Sequence, residues 1–392
     1  MPRLLYTYLI NQVLAPFYAS LIILTSILFL SRLIPILDIV LDYNIGLGDF
    51  IRLHAYFTPQ LLLFALPMSS MMGVILGTSH INNENELMVL KASGISLYRM
   101  LPPVILFGLS TAVVTGLFSI YLIPAGNKAK VELAFQLAKE KVERSTHEKR
   151  FSESLGDIVL YADRIDRETG AWNGVYISDM RDARHPVTII SESGIVTADA
   201  TAGTLSISLH NGVLNRTASD AAQTIDFTGY DMNLPLETPA KNPLAKMDET
   251  TMLQSELLAE ADRLGRNSQK AVYYLNQFHK RLALPVSCFI LTLLGFPLGF
   301  LSGPRHKTIG LPLGLAIFIL YYLVLTGFQL SSESMVMPPA VAMWMPNLIF
   351  LVLTMIFINI VAREAYTVYL EKFYDFTYAF FLKFRRHKGD MQ

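Results

Sequence analysis

Charged residues are spaced very unevenly along the chain. Six stretches contain no Asp, Glu, Lys or Arg and are dense in Leu, Ile, Val and Phe: 4–31, 53–83, 100–127, 282–304, 308–332 and 334–362. Each exceeds the roughly 20 residues that a helix needs to cross a bilayer core. Six transmembrane helices are therefore predicted, three before and three after a long polar insertion. The first stretch is too long for a signal-peptide core and no Ala-x-Ala site follows it, so it is expected to be a true span. Residues 33–51 are apolar but interrupted by Asp38, Asp42 and Asp49, and read as the end of span one plus a short external connection.

The insertion changes period. Residues 127–150 are charged and helix-prone. From Phe151 to about Leu236 apolar positions alternate, as in Thr204-Leu205-Ser206-Ile207-Ser208-Leu209, where every second residue belongs to one buried face. Asn211-Gly212 follows, a preferred pair for a two-residue hairpin turn. Val175–Ile177, Val187–Ile190 and Gly194–Val196 read as further short strands, giving a small antiparallel sandwich or open barrel. Residues 244–280 return to helix. The domains expected are 1–126 with spans one to three, 127–280 with the β-rich part at about 151–236, 281–362 with spans four to six, and a tail at 363–392.

Composition sharpens this picture. Of 392 residues, 52% are hydrophobic and 16% charged, and 32 basic residues balance 32 acidic ones. That balance gives no positive excess for nucleic acid, and the hydrophobic content excludes a disordered chain. The single cysteine, Cys288, rules out an internal disulfide and a multi-cysteine metal site. No P-loop, His-Glu-x-x-His or Gly-x-Ser-x-Gly segment occurs, and no cofactor or metal is expected. Carboxylates and histidines are nearly missing at membrane depth, unlike an ion-coupled carrier. Any uphill transport then draws its energy from a partner.

Orientation follows from basic residues in short loops. Arg305 and Lys307, and Arg363, Lys372, Lys383, Arg385, Arg386 and Lys388, put the 305–307 loop and the C-terminus in the cytoplasm. Six spans then put the N-terminus inside and residues 124–280 outside. The aromatic and basic stretch 363–386 reads as an amphipathic helix on the cytoplasmic membrane surface.

Between spans two and three lies Asn82-Asn83-Glu84-Asn85-Glu86-Leu87-Met88-Val89-Leu90-Lys91-Ala92-Ser93-Gly94. An Asn can cap a helix here, the glutamates favour its first turn, and Gly94 can stop it. It is either a solvated connector or a helix that couples to a cytoplasmic ATPase. The segment 84–94 resembles the coupling region of the lipopolysaccharide-export permeases, the LptF/LptG (YjgP/YjgQ) family, and is closer to the LptF branch. The stretches Asn276–Arg281 with Pro285, Gly295–Gly299, Arg305–Lys307 and Pro346–Ile349 resemble further family segments in the same order.

The resemblance implies a six-helix permease with an inserted periplasmic β-jellyroll-like domain in the bacterial inner membrane. It implies an LptB-type ATPase dimer, a paralogous LptG-type permease and an LptC-type single-span protein as partners, with lipopolysaccharide as cargo and ATP used by the partner. Glu84 and Glu86 match the family's acidic coupling positions, and Leu87 and Leu90 are expected to supply apolar contact to the ATPase. Arg32 matches basic residues near the lipid phosphates, although Pro35 replaces a further one. Leu205, Ile207 and Leu209 are expected to line the acyl-chain interior. The rival readings are a permease of another ABC-type exporter, for lipoprotein or peptide, and a non-transporting membrane scaffold.

Overall fold

The computed structural model describes residues 2–43, 46–84, 86–145, 149–151, 158–166, 169–181, 186–199, 204–218, 221–234, 249–301 and 310–363. The basic loop 305–307 and the tail from residue 364 lie outside the described residues, as does Asn85.

The helices are α1 (Pro2–Tyr43), α2 (Leu47–Asn83), α3 (Glu86–Ala92), α4 (Leu97–Leu117), α5 (Ile123–Ser145), α6 (Gln254–Arg263), α7 (Gln269–Leu301), α8 (Gly310–Glu333) and α9 (Pro339–Ala362). Among the described residues, six helical stretches are long and apolar enough to cross a membrane, and each overlaps one of the six charge-free blocks. Span three does not stop at the polar boundary. A π-helical turn, Phe118–Leu122, joins α4 to the charged α5 without a break. Helix α1 likewise continues to Tyr43, within the 33–51 stretch read as the end of span one plus a short external connection.

The chain divides into two compact units, one of residues 1–32, 58–124 and 252–392, the other of 33–57 and 125–251. In the first, α7 is the central helix. Gly295 has no room for a Cβ, which would stand 2.8 Å from the Met71 carbonyl oxygen, and one at Gly299 would overlap the Thr78 hydroxyl and stand 2.6 Å from the Ile75 carbonyl. Gly73 and Gly77 of α2 meet Phe17 and the Gln12 backbone of α1 in the same way. Between helices in lipid no hydrophobic driving force acts, so close backbone approach at small residues four apart supplies the packing. Hydroxyls add to it: Thr292 donates to Ser70 at 2.9 Å, and Tyr321 donates to Asn347, whose amide donates to the Ala283 carbonyl, both at 2.9 Å.

The second unit contains an antiparallel meander, β1 (Ile158–Ile165), β2 (Ala171–Asp179), β3 (Val187–Asp199), β4 (Thr204–Ala218) and β5 (Ala221–Leu234), in the order β1-β2-β3-β4-β5. Asn211-Gly212 is not a hairpin turn. It lies inside β4, and the Val187–Ile190 and Gly194–Val196 pieces are two halves of β3. The pairings Ser191↔Gly212 and Ser193↔His210 continue on either side of one unpaired position, in unbroken register.

The same interruption runs across the whole sheet, along Asp163, Gly174, Glu192, Asn211 and Thr228. On one side of this line the inward row is Ala162–Val175–Ser191–Gly212–Phe227. On the other it is Ile165–Trp172–Gly194–Leu209–Tyr230. Inward residues are thus three apart across the line instead of two. Every strand carries one extra residue at the same level, so the sheet creases without slipping. Gly174 (φ 63°) and Asn211 (φ 51°) take the left-handed conformation that the bend requires. The buried Ser191 hydroxyl lies 2.7 Å and 2.8 Å from the Ser193 and His210 carbonyls, replacing ladder bonds lost at the crease. The crease lets one sheet enclose its own core, which gives the jellyroll-like body expected of this segment. Ile158, Leu160, Trp172, Val175, Ile177, Ile189, Val196, Ile207, Leu209 and Met232 are all buried in it.

Candidate functional site

The segment between spans two and three is built around a seven-residue helix, too short to be stable by itself. Its end is well defined. Gly94 has φ 80°, its N–H donates to the Lys91 carbonyl at 2.9 Å, and the Ile95 N–H donates to Leu90 at 3.0 Å. These two bonds form a Schellman motif, and Leu90 and Ile95 pack together with the buried bundle core, as that motif favours. The start differs from the sequence expectation. Asn82 and Asn83 close α2 and do not cap α3: Asn82 donates to the Phe300 carbonyl at 3.2 Å, and Asn83 to Ser79 at 3.4 Å.

Glu84 and Glu86 separate into different environments. Glu84 is exposed in the turn before α3. Glu86 is half-buried and accepts a hydrogen bond of 2.5 Å from the Tyr8 hydroxyl of α1. The apolar residues also divide. Leu87 is 6% exposed and packs with Leu9, Val13 and Val361, and Leu90 joins the same cluster. They face their own bundle, so the apolar contact open to another molecule is Met88, 70% exposed, and Val89, 66% exposed. The outward surface of the segment therefore includes Glu84, Met88 and Val89, with Ala92, Ser93 and Gly94 exposed beyond them. Sequence alone could not choose this face, because the phase of a two-turn helix depends on which side its neighbours occupy.

In the sheet, Ile207 and Leu209 have no exposed surface and sit in the enclosed core. Leu205, also in β4, pairs with Ala198 of β3 and Leu234 of β5; its side chain lies outside the described set. The Trp172 indole N–H has no hydrogen-bond partner among the described residues. At the mouth of β2, Arg181 clasps Asp179 through Nε at 2.8 Å to one carboxylate oxygen, and that bond holds the Asp179 carboxyl below its usual range against the opposing effect of burial. Arg32 is exposed on α1, which continues past it through Pro35. Among the described residues no group of three or more His, Cys, Asp or Glu is placed to hold a metal ion. Sequence reasoning missed the Gly73/Gly77 and Gly295/Gly299 seams, whose signal is glycines four apart within an apolar helix.

Six membrane-length helices interrupted by a creased sheet define a polytopic helical membrane protein with an inserted sheet domain. Residues 7–359 match the family described as lipopolysaccharide export system permease LptF/LptG, and the chain belongs to that family. It is 22% identical over 357 residues to the lipopolysaccharide export system permease protein LptF of Escherichia coli K12, covering 89% of this chain and 93% of that protein. The protein of the same description from Shigella flexneri gives the same values.

Proposed function

We propose that this chain is the permease subunit that takes lipopolysaccharide from the bacterial inner membrane and passes it to a periplasmic bridge, driven by ATP hydrolysis in a partner. The match over residues 7–359 carries this reading, because it spans the bundle, the α3 segment and the sheet together. The partners in this reading are an LptB-type ATPase dimer, an LptG-type permease and an LptC-type single-span protein. The nucleotide binds the ATPase, and this chain contributes no hydrolytic residue. The N- and C-termini are cytoplasmic, and the sheet is periplasmic.

Docking of the ATPase falls to Glu84, with Met88 and Val89 as its apolar neighbours; Glu86 and Leu87 face this chain's own helices. Arg32, near the outer end of span one, meets a lipid phosphate. Acyl chains travel between the two halves of the creased sheet past Leu205, Ile207 and Leu209. Because that core is filled by side chains, the halves must part to admit an acyl chain.

The test is isolation of the complex from native membranes, with mass spectrometry of its proteins and lipids. Lipid A and an ATPase are expected together; a lipoprotein or peptide in place of lipid A would make this another exporter's permease. Glu84→Ala is expected to weaken ATPase retention about tenfold or more, the value of one charge-assisted hydrogen bond. Retention and lipid release at wild-type levels would overturn the docking role of Glu84. Orientation is read with a cysteine at Asp226, exposed on β5, which an impermeant reagent should label from the periplasmic side. Native Cys288 is buried and gives little background.

A further inference from the structure

Among its described side chains, helix α1 is buried in its first half. Its buried positions are Leu9, Val13, Phe17 and Ser20, all in the first half. Beyond Ser20, every described side chain as far as Ile34 is exposed or half-exposed. The fixed half rests on the glycine seam of α2 and on α3: Phe17 and the Gln12 backbone meet Gly73 and Gly77, while Leu5, Tyr8, Leu9 and Val13 share a cluster with Leu87 and Leu90. Apolar packing of this kind is non-directional and lets a short helix slide. A directional link between α1 and α3 is the Tyr8 hydroxyl donating to the Glu86 carboxylate.

We propose that Tyr8 is a positioning residue that fastens α3 to the fixed half of α1 through Glu86, so that displacement of α3 is delivered to α1. The inference rests on the docking role given above to the α3 segment. It assigns the two glutamates different tasks. Glu84 receives the ATPase, and Glu86 passes the movement on. α3 has a covalent route to α4 through Gly94 and Ile95, and Tyr8 supplies a second, non-covalent route to α1. Without that bond only non-directional apolar packing joins Leu87 and Leu90 to Leu9 and Val13, and less of the displacement of α3 reaches α1.

Tyr8→Phe keeps the ring in its apolar cluster and removes only the hydroxyl. In the full chain within its complex, amides of Leu90, Lys91 and Ala92 are expected to exchange about tenfold faster, the effect of one charge-assisted hydrogen bond. The ATPase is expected to remain bound at wild-type level, with lipid released per ATP falling about tenfold. Spin labels at Ile27 of α1 and Ile105 of α4, both exposed, should lose the nucleotide-dependent distance change seen without the substitution. Glu86→Gln keeps an acceptor oxygen and should retain most of the protection and output, whereas Glu86→Ala should behave as Tyr8→Phe. Tyr6→Phe on the same helix serves as the control and should change nothing. Unchanged amide exchange in Tyr8→Phe overturns the fastening. Faster exchange with normal lipid release per ATP overturns its role in transmission. Loss of the ATPase also overturns it, by placing Tyr8 in the docking surface. If the unsubstituted chain retains no ATPase, the docking reading fails, and amide exchange still decides whether the tie exists.

Discussion

The α2–α7 seam and the creased sheet both bring backbones together where no Cβ fits, and they do so for different physical reasons. At Gly295 and Gly299 the helix continues through the contact, and the missing side chains serve approach between two backbones. In lipid the surrounding chains are as apolar as the helix surface, so packing and hydrogen bonds have to hold the pair. In the sheet the backbone itself bends, at Gly174 and Asn211, and the gain is a core that removes Ile207, Leu209 and Trp172 from solvent. One region therefore depends on proximity and the other on burial. Substitutions should separate the two.

The largest effect is expected at Gly299. A leucine there starts with a Cβ that overlaps the Thr78 hydroxyl and stands 2.6 Å from a fixed carbonyl. Gly299→Leu should cost more than about 3 kcal/mol, at the upper end of overpacking, and abolish monodisperse protein in detergent. Gly327→Ala, where nothing lies within 4 Å, should leave the elution profile and melting temperature unchanged apart from propensity. Next is Ile207→Ala, which empties part of the sheet core and should cost about 2–5 kcal/mol. Limited proteolysis should then cut within β3–β5 while the helical circular dichroism signal persists. Ile190→Ala, at a half-exposed position on the outer face, should stay within about 0.5 kcal/mol.

A smaller effect belongs to the crease. Asn211→Ala puts a side chain that dislikes φ 51° at the bend, and should cost about 1 kcal/mol, read as faster amide exchange in β4. Asn211→Gly should be near neutral. The smallest concerns Asp179. Its carboxyl titrates below the usual range because Arg181 binds the ionised form. A depressed folded-state value means that the pair's contribution is present at neutral pH and is lost as pH falls through that depressed value. Arg181 is 41% exposed, so solvent screening keeps the contribution within about 1 kcal/mol. Asp179→Asn should flatten this part of the acid limb of the sheet's unfolding and leave the bundle's melting unchanged.

The bundle and the sheet were also unequally legible in the sequence. The spans were plain because a charge-free run of that length has few other meanings, and Gly94 ended its helix as its type suggests. The sheet's alternation was read correctly along 205–209. Asn211-Gly212 and the Ser191–Gly194 stretch misled, because the residues that allow a positive φ in a hairpin are the same ones that allow a bend within a strand. Only the partner strand decides between reversal and bending. For the α3 segment, local sequence marked Glu84 and Glu86 as equals. Their difference is set by Tyr8, 78 residues away from Glu86, which no local pattern reports.

The shared level of the crease has a consequence for how this domain can vary. Its extra residue is present in all five strands at once, along Asp163, Gly174, Glu192, Asn211 and Thr228. Deleting one residue from a single strand at that level would turn the remainder of that strand inside out, presenting polar groups to the core and apolar ones to water. The line can therefore accept changes of residue type one at a time, but changes of length only in all five strands together. Loops between the strands are free to grow or shrink, while the distance along each strand from its turn to the crease is fixed by its neighbours.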